Sequence, residues 1–140
     1  MLSFACAKAR LGRRGTASLE FALVGPLLIL LLTGGIEAGR YMVTLESLRM
    51  ATAEAVRTVT LRGGRNIGEG LDGCNGLAGA QAGAAAGLPF LDPTKLAVTL
   101  SGCTTDGAVT RVTLALSYPH AASLPLFTTT LTETAQAVFN

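Results

Sequence analysis

The apolar positions of this chain change period twice. From Phe21 to Ile36 they run on with no charged residue among them, and including the polar flank from Thr16 makes 21 residues. At the usual rise that is about 31 Å of helix, enough to cross a hydrocarbon core. Pro26 removes one backbone hydrogen bond inside this run and crowds the preceding turn, so a bend or local loosening is expected there. Further on, Tyr41, Leu45, Leu48, Thr52, Ala55 and Val59 recur at spacings of four and three. They draw one stripe along a helix that continues out of the apolar run. On its flanks Glu37 and Arg40, Glu46 and Arg49, and Glu54 and Arg57 are spaced so that opposite charges can meet, a pattern that solvates a helix. Gly63-Gly64 is expected to end it.

Beyond Pro93 the period becomes two. Leu96, Val98 and Leu100 alternate with polar or small residues, and so do Val112, Leu114, Leu116 and Tyr118, which predicts two half-buried strands. Opposed residues must share a face. A two-residue Asp106-Gly107 turn would set Leu100 against Thr113 and fails that condition. A three-residue loop, Thr105-Asp106-Gly107 with Gly107 left-handed, sets Leu100 against Val112, Val98 against Leu114 and Leu96 against Leu116. The hairpin then has one apolar face to lay on the helix stripe. Thr128 to Phe139, with Leu131, Ala135, Ala137 and Phe139 in alternation, reads as a third strand.

Between helix and hairpin lies a glycine-rich stretch. Gly68-Glu69-Gly70-Leu71-Asp72-Gly73 matches the spacing of a dinucleotide-binding loop, but that loop needs a strand before it and a helix opening at it. Here a helix precedes and a cysteine follows, so a loop needing permissive backbone angles is expected instead. Leu77 to Ala86, rich in alanine, is a candidate short helix stopped by Gly87 and Pro89.

Charge and cysteine then assign the compartments. The formal net charge is only +2, yet Lys8, Arg10, Arg13 and Arg14 all precede Gly15 with no acid among them. A basic flank before an apolar span places the N-terminus in the cytoplasm and the chain beyond residue 40 on the exported side. A cleaved secretory signal ending near Thr33-Gly34-Gly35 is the alternative. Cys6 has no apolar run before it, as a lipid acceptor would need. Cys74 and Cys103 remain as an even pair in a compartment where disulfides persist, and are expected to be bonded, two separate thiols being the alternative.

One residue breaks the pattern at the mouth of the apolar run, the carboxylate of Glu20. An acid there costs free energy and calls for a named partner, unless it simply reaches the headgroups. Its surroundings supply an answer. Gly15 lies five residues before Glu20, after a basic stretch, and Phe21 follows immediately. The run Arg14-Gly15-Thr16-Ala17-Ser18-Leu19-Glu20-Phe21-Ala22-Leu23-Val24-Gly25-Pro26, then leucines, then Gly35-Ile36-Glu37-Ala38-Gly39-Arg40, resembles the TadE-like pseudopilins of the tight-adherence (Flp-type) pilus system. The resemblance spans about residues 12 to 45 and rests on an N-terminus of type IV prepilin kind.

The resemblance implies cleavage between Gly15 and Thr16 by a membrane prepilin peptidase. It would leave a new α-amine on Thr16, with Glu20 as the assembly contact that pairs with such an amine on a neighbouring subunit and with Phe21 supplying packing. It implies a minor pseudopilin with other pilin or pseudopilin subunits as partners, held in the inner membrane by one span with its head on the periplasmic side. Its expected divisions are a leader over 1–15, a transmembrane helix over 16–36 and an exported head over 37–140. The expected fold is α+β and pilin-like, a long N-terminal helix leading into a small antiparallel sheet.

Other functions find little support. The single histidine, His120, follows Tyr118-Pro119 in an expected surface loop with no acid nearby and no nucleophile motif, so no enzyme is expected. No Cys/His grouping has metal spacing, and the exported part is too acidic and too poor in aromatics for nucleic acid. No cofactor is expected. The runner-up is a membrane-anchored or secreted binding module with no pilus role.

Overall fold

The structure, a computed structural model, describes residues 13–77, 90–122 and 128–140. Its elements are α1 (Arg13–Gly68), β1 (Ala97–Asp106), β2 (Val109–Ala121) and β3 (Thr128–Phe139), an α+β layout. The chain forms two compact units, Met1–Ala38 and Gly39–Asn140. The alanine-rich helix expected over 77–86 falls almost wholly outside the described residues.

In the first unit α1 lies uncovered. Leu19, Phe21, Leu23 and the leucines from Leu27 to Leu32 are all exposed. An 18-residue window of this helix has mean hydropathy 2.1 with none of it buried, so α1 is long and apolar enough to cross a membrane. The helix runs through Pro26 without interruption. Thr33 donates its hydroxyl back to the carbonyls of Ile29 at 2.9 Å and Leu30 at 3.1 Å, so it brings its own acceptors into apolar surroundings.

In the second unit the remainder of α1 lies on a three-stranded antiparallel sheet of order β1-β2-β3. Leu48, Ala51, Ala55 and Val59 form the buried stripe of the helix and meet Val112, Leu114 and Leu116 of β2 and Leu131, Ala137 and Phe139 of β3. Thr44, Ser47 and Thr52 are buried on the same side at little cost, because each hydroxyl donates to the carbonyl four residues back at 2.8–2.9 Å. Glu133 occupies a core-side position of β3 opposite Leu116, and a charge so placed discourages further pairing along that free edge.

Three expectations require correction. Helix α1 does not stop at Gly63-Gly64 but runs to Gly68. It ends where the first left-handed residue, Gly70 at φ 74°, allows the Gly70 amide to donate to the Ile67 carbonyl (2.9 Å) and the Leu71 amide to the Asn66 carbonyl (2.8 Å). This pair of bonds is the Schellman arrangement, which satisfies the last carbonyls. The glycines that resembled a dinucleotide loop thus terminate a helix rather than open one.

The hairpin register also differs. The turn is the two-residue Gly107-Ala108, with Gly107 at φ 62° as a II′ turn requires, and it pairs Asp106 with Val109. Continued without a break, that register would place Leu100 opposite Ala115, on the wrong face. A bulge between Ser101 and Thr104, built on Gly102 at φ 62°, shifts the pairing by one and sets Leu100 against Leu114 and Val98 against Leu116. The requirement for a shared face holds; the extra residue sits in the strand, not in the turn.

His120 is not on a surface loop. It belongs to β2, is buried, and meets the Tyr41 ring edge to face with centroids 5.6 Å apart. Pro119 permits this because it lies beyond Ser117, the last residue of β2 with a β1 neighbour, where a missing N–H costs no bond to that strand.

Candidate assembly site on the N-terminal helix

Gly15 and Thr16 lie in the first turn of α1. The first four N–H groups of any helix lack an intrahelical acceptor, so this turn is the one most easily drawn into an extended form. Glu20 follows one turn beyond Thr16, exposed, at the entry to the uncovered apolar stretch.

Phe21 is 78% exposed, the most exposed of the large apolar side chains described. A Cβ placed on Gly25, one turn on, would lie 3.8 Å from Phe21 Cε1, so the ring leans along the helix over Gly25. The carboxylate and the ring are thus neighbours at the start of the apolar run, one polar and one apolar, both open to a partner. A carboxylate moved into low dielectric attracts a cation strongly and is penalised without one.

Cys74 and Cys103 lie in the other unit and are joined by a disulfide, with Cα atoms 6.1 Å apart and 29 positions apart in sequence. Next to this bridge Asp72 Oδ1 accepts the Cys74 amide at 3.0 Å, and Cys103 lies within the bulge between Ser101 and Thr104. Among the described residues no group of three or more His, Cys, Asp or Glu side chains is placed to hold a metal ion.

Arg62 and Arg65, near the end of α1, depart from the charge pattern of its flanks. Arg49 and Arg57 each meet the glutamate three residues earlier, at 2.9 and 3.9 Å, and that repeat stops before Arg62.

Comparison with known proteins finds a match confined to α1. Residues 15–57 match the family model described as TadE-like protein, a match that begins at Gly15, includes Glu20 and Phe21, and covers none of the sheet. No curated protein and no solved structure matches the chain.

Proposed function

Taking residues 15–57 as those of a TadE-like protein, we propose that this chain is a minor pseudopilin that serves in assembly of a tight-adherence pilus. The observation that carries the reading is the family match beginning at Gly15, together with an exposed Glu20 at the mouth of a helix apolar enough to span a membrane. In this reading a prepilin peptidase cleaves after Gly15, and the glycine serves because no side chain obstructs approach to its carbonyl. The basic leader stays in the cytoplasm, α1 spans the inner membrane, and the disulfide-tied head lies outside.

Cleavage turns the Thr16 amide into an α-amine, ordinarily protonated below about pH 8. Glu20 of one subunit pairs with the Thr16 amine of a neighbour. The two positions are four apart in sequence, about 6 Å of rise, so neighbours pair when displaced by roughly one turn along the helix axis. The contact therefore sets axial register as well as affinity, and an unpaired subunit bears the cost of a lone carboxylate. The role is structural, with no chemistry of its own.

Glu20→Ala tests this reading against that of a plain anchored module. The pilus reading expects the variant to insert and to be processed, yet to leave cells without normal pili. Normal piliation with Glu20→Ala would remove the carboxylate from assembly.

A further inference from the structure

Beyond the pilus reading, and independent of it, the head carries a groove with the features of a polypeptide-binding site. Its floor is one face of the last turns of α1, with Thr58, Leu61, Arg62, Arg65, Asn66 and Glu69 recurring at three and four, and its wall is the loop at Asn75 and Gly76. The open space measures about 620 Å³. The wall is fixed: Asn66 Nδ2 donates to the Asn75 carbonyl at 2.7 Å, Arg62 Nη1 to the Gly76 carbonyl at 3.3 Å, and neighbouring Cys74 is bonded to Cys103.

Basic residues in the last turns of a helix commonly serve its negative end. Here the Arg65 carbonyl accepts the Glu69 amide, the Asn66 carbonyl those of Glu69 and Leu71, and the Ile67 carbonyl that of Gly70, at 2.8–3.1 Å, so these carbonyls do not call on a guanidinium. Nor is Arg62 or Arg65 held in an ion pair with a helix glutamate as Arg49 is with Glu46 and Arg57 with Glu54. Two guanidiniums three residues apart thus face a preformed groove, with Leu61 beside them 65% exposed.

We propose that this groove binds an acidic segment of another polypeptide, one that sets an apolar side chain on Leu61 and carboxylates on Arg62 and Arg65. Charge complementarity selects the acid, since a guanidinium matches a carboxylate in both charge and geometry. Exposed Leu61 favours a polypeptide over an acidic polysaccharide, which would leave that leucine without an apolar partner. Glu69, one turn beyond Arg65, repels a carboxylate that slides too far and so fixes the register of the segment.

The experiment uses the full chain in detergent micelles and a fluorescent decapeptide of glutamate and leucine, read by anisotropy. The peptide should bind and weaken with added salt. Arg65→Glu should reduce affinity roughly tenfold or more, while Arg65→Lys keeps much of it and Glu69→Gln raises it. Leu61→Ser should weaken the leucine-bearing peptide and leave a weak all-glutamate peptide unchanged. Absence of binding would overturn the proposal, as would affinity indifferent to Arg65→Glu. Equal or tighter binding of polygalacturonate would overturn it in favour of a polysaccharide. None of these readouts involves pili, so failure here leaves the role of Glu20 intact.

Discussion

The ring of Phe139, the penultimate residue, lies against Gly63 of α1 so closely that a Cβ added there would come within 2.8 Å of Phe139 Cδ2. The same ring limits Gly73, whose added Cβ would lie 3.0 Å from Phe139 Cε2, 3.2 Å from Thr110 Oγ1 and 3.3 Å from Ile67 Cδ1. Two glycines thus make the seat that joins the end of β3 to the end of the helix.

A paired substitution tests this seat. Alanine in place of an interior glycine ordinarily favours a helix by about 1 kcal/mol. Gly64, whose added Cβ would meet nothing within 4 Å, should show that gain as Gly64→Ala. Gly63→Ala should instead destabilise by about 1–3 kcal/mol, because the buried Phe139 ring must move. Thermal unfolding followed by circular dichroism separates the two, and equal stabilisation by both would mean that the ring is not seated there.

The disulfide makes a second prediction. A bridge closing a loop of this length stabilises by roughly 3–4 kcal/mol in the chain-entropy account. Replacing both Cys74 and Cys103 by serine should lower the unfolding midpoint clearly, and reduction should lower the wild-type midpoint to that of the double variant. A midpoint insensitive to reductant would contradict the bond.

A third concerns pH. The Thr94 hydroxyl donates to Asp92 Oδ1 at 2.7 Å and the Thr94 amide at 3.0 Å, with Lys95 Nζ 3.8 Å from the other oxygen. The Thr94 side chain and then its amide, with a weaker pull from Lys95, hold the Asp92 carboxyl below the usual aspartate range against the opposing effect of desolvation. A depressed folded-state value means that the contribution is present above the unfolded value, near pH 4, and is lost as pH falls through the folded one. The unfolding midpoint of the wild type should therefore drop more between about pH 5 and pH 2 than that of Asp92→Ala. Identical pH profiles would show that these bonds do not favour the ionised form.

Much of this architecture was legible in the sequence because period and parity are strong constraints. The stripe of Leu48, Thr52, Ala55 and Val59 is buried as its spacing requires, and the third strand spans Thr128–Phe139. Parity alone required one extra residue in the hairpin, but it is satisfied equally by a longer turn or by a bulge. Only the structure distinguishes them, placing the extra residue at Gly102–Cys103, beside the disulfide. Gly63-Gly64 misled because a glycine pair reads as a stop. Gly63 is there for the ring of Phe139, a residue 76 positions later that no local pattern connects to it. His120 misled because Tyr118-Pro119 reads as a turn, whereas proline is tolerated where β2 has outrun β1. Of the proposed assembly site, Gly15, Thr16, Glu20 and Phe21 were singled out by residue type and spacing alone; the lean of Phe21 over Gly25 could not be read that way.

The central claim, that this is a processed pseudopilin, is tested most directly by the N-terminal sequence and mass of the protein extracted from membranes of cells with and without the prepilin peptidase. The account predicts a start at Thr16 that depends on the peptidase. A start at Met1 in both cells, or a start near Ile36, would contradict it.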